Sequence, residues 1–252
     1  MISLFMTVTN VFNKITDSCK SRILKLYFSQ NSLPALKRSQ KMRVLKIVVL
    51  IIAFSVFFYF IITTAVDIAL MGRLSFCFST KPKTEKFLIE KENRIDIQDG
   101  FKCSGFSSAF VLRHFDIPAE GNEAYRQMPF KMKNGYAYPK GIRDFLQQKG
   151  LTAKYKSGNI SALKNAVSKG APAIVMIKIR ADKNWLHYVP VVGYDKQNIF
   201  IAESIPELAN CSEPHYNRKI SAKEFKKLWN TAMPKMPLYA NTFFEVEKIT
   251  RK

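Results

Sequence analysis

The stretch QDGFKCSGFSSAFVLRHF, from Gln98 to Phe115, places a cysteine at the start of an apolar run with helical spacing. The pattern predicts a helix that begins at Cys103, with Ser104 near its first turn. A thiol attacks as a thiolate, and the backbone N–H groups at a helix N-terminus stabilise that anion. Gln98, on the loop before the helix, carries an amide that can donate to an oxyanion. The alternative is a buried structural cysteine behind an exposed glutamine.

A nucleophilic cysteine needs a general base, and the chain has three histidines. His114 lies eleven residues along the same helix, about 16 Å from Cys103 at a rise of 1.5 Å per residue, which is too far. His215 lies in the polar segment SEPHYN, which predicts a solvated side chain. His187 begins the apolar strand HYVPVVGY, where a sheet can press it against the cysteine helix. A histidine of the core is the alternative for His187.

An imidazole base is oriented by an acceptor on its second ring nitrogen. The strand-like segments HYVPVVGY and NIFIAES are separated by the turn DKQ, which predicts a β-hairpin. In that hairpin Glu203, at the end of the returning strand, comes back beside His187, whereas Asp195 lies in the turn at the opposite end. The pattern therefore predicts a site of Cys103, His187 and Glu203, with Gln98 as the oxyanion donor.

The segments around this site predict helices interleaved with an antiparallel sheet. Helical patterns occur in PKGIRDFLQQKG, NISALKNAVSKG and ISAKEFKKLW, and strand-like patterns occur in LTAKYK, APAIVMIKI and NTFFEVEKI. The order of these segments predicts an α+β domain over residues 95–252, in which the cysteine helix packs on the sheet.

Residues 47–66, IVVLIIAFSVFFYFIITTAV, contain no charge, proline or glycine. About 20 apolar residues cross the hydrocarbon core of a bilayer, so we predict a single transmembrane helix and the lipid bilayer as a partner. A cleaved signal peptide is the alternative. Residues 1–46 carry nine Lys or Arg against one acid, which predicts a cytoplasmic N-terminus in the cell membrane and an extracytoplasmic domain. Residues 67–94, with the polar stretch STKPKTEK, predict a linker.

The charge and the cysteines restrict the function further. The net charge is +21, but no basic stretch with interleaved aromatics occurs outside the N-terminal tail, so nucleic-acid binding is not expected. Cys19 precedes the apolar stretch, and the other three cysteines follow it. A Cys77–Cys211 disulfide that leaves Cys103 free is one pairing that the sequence allows. No CxxC pair or His/Cys cluster has the spacing of metal ligands, and no metal or cofactor is expected.

These motifs resemble those of the bacteriocin-processing double-glycine leader peptidases and their stand-alone relatives, within the papain-like cysteine peptidases. The resemblance covers about residues 96 to 245. It rests on the Gln–Cys spacing, the helix after the cysteine, HYVPVVGYD, the acid that ends the next strand, and the ISAKEFKKLW helix. It implies a papain-like fold, with Gln98 as oxyanion donor, Cys103 as nucleophile, His187 as base and Glu203 as the acid that orients the histidine.

The chain departs from the family pattern at three places. Lys102 stands where an acid or Asn is usual, Ser104 stands where Gly is usual, and Glu203–Ser204 replaces Asp-Pro. The best-known members are fused to ATP-driven exporters and act in the cytoplasm. We therefore predict a membrane-anchored cysteine peptidase that hydrolyses peptide or protein substrates outside the membrane. The alternatives are a catalytically inactive papain-like binding module and a cell-wall peptide amidase.

Overall fold

The computed structural model describes residues 38–234 and 236–249 of the chain. The chain separates into two compact units, residues 1–57 and residues 58–252. Helix α1, Arg38–Met71, contains all the described residues of the first unit and the beginning of the second. Most of the predicted basic segment 1–46, including Cys19, lies outside the described residues.

Helix α1 is longer than the predicted span of residues 47–66. Its part from Met42 to Met71 is long and apolar enough to cross a membrane, and it is the one helix with these properties in the described ranges. Large apolar side chains along it are exposed, such as Ile51 and Phe54, which are 58% and 61% accessible. The final residue, Met71, is by contrast fully buried in the core of the second unit. The membrane insertion and the orientation of α1 stay predictions.

The second unit continues with helices on a single large sheet. In chain order the elements are β1 Leu74–Cys77, β2 Phe87–Leu88, α2 Cys103–His114, α3 Gly121–Gln127, α4 Pro139–Gln148, β3 Leu151–Gly158, α5 Ile160–Val167, β4 Ala173–Lys178, β5 Leu186–Tyr194, β6 Asn198–Ile201, β7 Arg218–Ser221, α6 Ala222–Trp229 and β8 Thr242–Lys248. A 3₁₀ turn, Pro206–Leu208, lies between β6 and β7.

The sheet has the strand order β1-β3-β8-β4-β5-β6-β7, and β2 pairs with β5 outside this path. The β1–β3 pair is parallel and all other pairs are antiparallel. Helix α2 lies on strand β5, and the hydroxyl of Ser107 donates to the carbonyl of Tyr188 at 2.8 Å. The predicted fold class, an α+β domain with the cysteine helix on an antiparallel sheet, is confirmed.

Helix α2 is buried over almost its whole length because neighbouring elements approach it closely. Eleven of its twelve residues are buried, and Arg113 is the exception. A Cβ atom at Gly105 would lie 2.5 Å from the carbonyl oxygen of Gly121, and one at Gly121 would lie 2.5 Å from the ring of Phe106. These two glycines therefore let α2 and α3 pack backbone against backbone, which holds the first turn of α2 in place.

Two short strands of the sheet lie within residues 67–94, the segment predicted as a linker. Strand β1 pairs with β3 from Leu74–Tyr155 to Cys77–Gly158, and β2 pairs with β5. Between these strands the backbone is held by side chains of α5 and its N-cap: Asn159 accepts from Ser79 N at 3.3 Å, and Asn165 accepts from Lys83 N at 2.6 Å. The segment between β1 and β2 is polar because side-chain hydrogen bonds, rather than buried apolar side chains, attach it to the domain.

The Cys77–Cys211 disulfide that the sequence allows is not formed in this structure. Cys77 and Cys211 are free and half-buried, and Cys103 is free and buried. The cysteine at the start of α2 is thus available as a thiol.

Candidate active site

Cys103 is the first residue of α2, and its side chain is 6% exposed. The residue before it, Lys102, makes no side-chain cap of the helix. Its ammonium instead donates to Asp99 Oδ2 at 2.8 Å and to Asn122 Oδ1 at 2.9 Å. The backbone N–H of Tyr188, on β5, donates to the Cys103 sulfur at 3.5 Å. The sulfur therefore lies at the N-terminus of α2 and accepts one hydrogen bond from a strand amide.

His187 lies on β5 beside this sulfur and is 1% exposed. Its Nε2 lies 2.7 Å from Oε1 of Glu203, and the side chain of Cys103 is close enough to interact electrostatically with the ring. Because Nε2 is occupied by the carboxylate, Nδ1 is the ring nitrogen that remains for proton exchange with the thiol. Thiol, imidazole and carboxylate thus lie together in one buried group, in which a hydrogen bond joins the imidazole to the carboxylate.

The hairpin of β5 and β6 brings Glu203 to His187. Val191 pairs with Ile201, and a β-bulge follows between Val191 and Gly193. Glu203 comes two residues after the end of β6, beyond the last paired residue. Asp195 lies in the turn at the other end, where its Oδ1 accepts from the backbone N–H of Asn198 at 2.6 Å. The structure therefore places Glu203 beside the histidine and Asp195 away from it.

Glu203 is fully buried, and other groups besides His187 bind it. The guanidinium of Arg218 donates to its Oε2 at 2.7 Å, and the backbone N–H of Ile205 donates to its Oε1 at 2.9 Å. The side-chain amide of Asn217 bonds both the N–H and the carbonyl of Glu203, at 2.7 and 2.9 Å. Both the backbone and the carboxylate of Glu203 are thereby fixed.

Arg218 and Asn217 belong to the site but are not predicted by the sequence patterns. The one available signal is the alternation RKIS in β7, in which Arg218 and Ile220 are buried and Lys219 and Ser221 are exposed. That signal becomes meaningful once β7 is paired with β6, because Arg218 then lies opposite Ile201 and next to the acid.

The pKa values of the pair move in opposite directions. Burial alone would lower the pKa of His187, but the Glu203 carboxylate and the Cys103 side chain raise it well above its ordinary value. Burial alone would raise the pKa of Glu203, but His187, the Ile205 N–H and Arg218 together lower it. The carboxylate is therefore ionised and the imidazole is protonated at neutral pH.

This charge state leads to a prediction for the titration of His187. We expect the ring to stay doubly protonated at pH 8, as measured by its ¹⁵N chemical shifts. In Cys103→Ala the ring should lose its proton at a lower pH, because the contribution of the cysteine that raises its pKa is gone. Cys211→Ala, which removes a thiol outside this group, should leave the titration unchanged. A neutral ring at pH 7 in the unsubstituted protein would contradict this electrostatic account.

Gln98 lies at the same site, on the loop before α2. Its Nε2 donates to the carbonyl of Gly100 at 2.6 Å, and its Oε1 accepts from the hydroxyl of Ser204 at 2.8 Å. Gln98, Cys103 and His187 line one cleft of about 300 Å³. The other lining residues are mostly apolar: Gly100, Phe101, Tyr136, Ile179, Leu186, Ile205, Pro206 and Glu207.

The other two histidines lie elsewhere. His114 is buried near the end of α2, and His215 lies between the 3₁₀ turn and β7 with its Nδ1 buried and unpaired. Neither of them lines the cleft. In the described part of the chain, no group of three or more His, Cys, Asp or Glu side chains is arranged to hold a metal ion.

Comparison with known protein families identifies the class of this chain. The model of the Peptidase_C39 like family matches residues 91–235. The chain belongs to the Peptidase_C39 like family, in agreement with the resemblance drawn from the sequence. The matched residues include the cysteine helix, the hairpin and β7.

Three solved structures are similar to the chain. The peptidase domain of Streptococcus ComA, a bifunctional ABC transporter involved in quorum sensing, is 16% identical with a TM-score of 0.49, over 63% of this chain and 99% of that one. A putative C39-like peptidase from Bacillus anthracis is 14% identical with a TM-score of 0.49, over 66% and 99%. A double-glycine-motif protease from an AMS/PCAT transporter, in complex with the leader peptide, is 12% identical with a TM-score of 0.42, over 66% and 99%. A search of curated proteins finds no match.

Proposed function

We propose that the protein is a membrane-anchored cysteine peptidase that hydrolyses peptide bonds through an acyl-enzyme. The observation that carries the proposal is the buried His187–Glu203 hydrogen bond beside Cys103, with Cys103 and His187 lining the same cleft. In this proposal Cys103 is the nucleophile, His187 is the base and acid, Glu203 orients the ring, and Gln98 is the oxyanion donor.

The geometry supports an acyl-transfer sequence in two halves. The Cys103 thiolate attacks the scissile carbonyl carbon, and the carbonyl oxygen becomes an oxyanion that accepts a hydrogen bond from the Gln98 amide. His187 gives its proton to the leaving amine as the C–N bond breaks, which leaves a thioester on Cys103. The neutral ring then takes a proton from water, whose oxygen attacks the thioester and releases the acid and the thiolate.

The substrate that fits this site is an extended peptide. The cleft walls beside the thiol are formed largely by apolar side chains, including Phe101, Ile179 and Leu186. Such walls accept apolar side chains of a polypeptide on either side of the scissile bond. Among the similar structures, one holds a leader peptide, and we extend that class of ligand to this chain as part of the proposal.

The proposal is tested with the full-length protein in detergent micelles. We expect iodoacetamide to alkylate Cys103 at neutral pH in a mass-spectrometric assay, and we expect turnover of a library of unstructured polypeptides. The variants Cys77→Ala and Cys211→Ala are controls that leave Cys103 in place. An unreactive Cys103 would favour an inactive binding module, and turnover of cell-wall muropeptides without turnover of polypeptides would favour an amidase.

The proposed topology places the N-terminus in the cytoplasm and the cleft outside the membrane. We expect a membrane-impermeant maleimide to label Cys77 and Cys211 in intact cells, because both thiols are free and partly exposed. A variant with only Cys19 left should stay unlabelled until the cells are lysed. Labelling of that variant in intact cells, together with protection of Cys77 and Cys211, would show the reverse orientation and a cytoplasmic enzyme.

A further inference from the structure

Ser204 is a buried residue of the site with no role in the scheme above. It follows Glu203 and is 6% exposed. Its hydroxyl donates to Oε1 of Gln98 at 2.8 Å, and its carbonyl accepts from the backbone N–H of Gln98 at 2.9 Å. Ser204 therefore holds Gln98 by both the backbone and the side chain.

The two hydrogen bonds of the Gln98 side chain determine which way its amide points. The carbonyl of Gly100 can only accept, so it binds the NH₂ group, at 2.6 Å. The Ser204 hydroxyl donates to the amide oxygen on the other side. A flipped amide would set its oxygen against the Gly100 carbonyl, two acceptors in contact. Gly100 uses one N–H of the NH₂ group, which leaves the second N–H for a ligand in the cleft.

We propose that Ser204 is a positioning residue that holds the Gln98 amide in the orientation needed to stabilise the oxyanion. The inference rests on the proposed function, because it assigns Ser204 a part in the same reaction. Ser204 stands where the resembling family has proline, which has no hydroxyl. The hydroxyl therefore gives this chain a side-chain contact to its oxyanion donor that a proline at the same position cannot make.

The position of Ser204 joins the two halves of the site. The segment from Glu203 to Ile205 bonds His187 through the carboxylate and Gln98 through the serine. Asn217 clamps the backbone of this segment at Glu203. Base and oxyanion donor are thus placed by adjacent residues, so their spacing is set by one peptide unit rather than by separate loops.

The kinetic test compares Ser204→Ala and Ser204→Thr in the full-length protein. In Ser204→Ala we expect kcat to fall about 10-fold with little change in KM, less than the about 100-fold loss for removing the donor itself in Gln98→Ala. Ser204→Thr keeps the hydroxyl and should retain most of the activity. Ser157, on β3, is a buried serine whose hydroxyl donates to the Ala240 carbonyl at 2.8 Å. The control Ser157→Ala removes that hydrogen bond and should leave kcat unchanged.

Two further measurements separate positioning from general structural damage. Alkylation of Cys103 by iodoacetamide forms no oxyanion, so its rate should be the same in Ser204→Ala as in the unsubstituted protein. In a Gln98→Ala background, Ser204→Ala should cause no further loss of kcat. A parallel fall in alkylation, or an equal loss in both backgrounds, would overturn the role.

NMR spectra of the Gln98 side chain test the contact with Ser204 without any peptide hydrolysis. We expect the side-chain NH₂ group of Gln98 to give two sharp, separate proton resonances with a high order parameter in NMR spectra. In Ser204→Ala the order parameter should fall, whereas Ser157→Ala should leave it high. Unchanged order in Ser204→Ala overturns the inference. Loss of order in a protein that cleaves no peptide supports the positioning contact and contradicts the peptidase proposal instead.

Discussion

Replacing Cys103 with alanine is expected to abolish peptide hydrolysis, with a loss of at least about 10⁴-fold in kcat/KM. In the proposed mechanism the Cys103 thiol forms the acyl bond, and without it His187 and Glu203 have no nucleophile to activate. The measurement is the initial rate on a peptide substrate at neutral pH. Hydrolysis that persists in this variant would remove the case for the site.

The fold should survive this change. Cys103 is small, and its replacement by alanine removes a single heavy atom and one weak N–H···S contact, which we expect to cost on the order of 1 kcal/mol in the free energy of unfolding. Cys77→Ala and Cys211→Ala are the matched controls, since both remove a free thiol outside the cleft. They should retain full activity, and a variant that loses activity by unfolding will show it in its denaturation midpoint.

Glu203→Gln is expected to reduce both stability and activity. The carboxylate is buried between two cationic groups, and the neutral amide leaves the Arg218 guanidinium buried without a counter-ion. We expect a loss on the order of 3 kcal/mol in the free energy of unfolding, measured with chemical denaturant. We expect kcat to fall on the order of 10³-fold, because the amide neither stabilises the imidazolium nor orients the ring as well.

A second substitution separates the two effects of Glu203→Gln. Adding Arg218→Met removes the unpaired buried charge, so the double variant should regain much of the lost stability and none of the lost activity. Asp195→Asn, in the turn of the same hairpin, should cost little in either measurement. Loss of activity in Asp195→Asn together with normal activity in Glu203→Gln would mean that another group orients His187.

The contribution of Glu203 and His187 to the free energy of unfolding depends on pH. Because the folded-state pKa of Glu203 lies below its usual value of 4.5, its contribution is present above about pH 4.5 and is lost as the pH falls toward the folded-state pKa. Because the folded-state pKa of His187 is raised, the histidine contributes below its usual value of 6.5 and loses that contribution as the pH rises through the folded-state pKa. The difference in the free energy of unfolding between the unsubstituted protein and Glu203→Gln should therefore be largest between about pH 4.5 and pH 6.5.

The local patterns of the sequence were sufficient for the main elements of the site. A cysteine before an apolar run predicts α2, and two apolar strands around DKQ predict the β5–β6 hairpin, because helix starts and tight turns are encoded by neighbouring residues. The hairpin alone predicted that Glu203 rather than Asp195 lies near His187. The α+β class follows from the same periodicities, and the 20-residue apolar stretch predicts a span without reference to any contact.

The tertiary structure decided what depends on residues far apart in the chain. The sequence contains no local signal that Arg218 neutralises Glu203, that Ser204 binds Gln98, or that β1 joins β3 within the predicted linker. These contacts join segments separated by 15, 106 and about 80 residues. Short motifs report the conformation of a segment, whereas a buried charge pair or a short edge strand is stable only when the sheet supplies its partner.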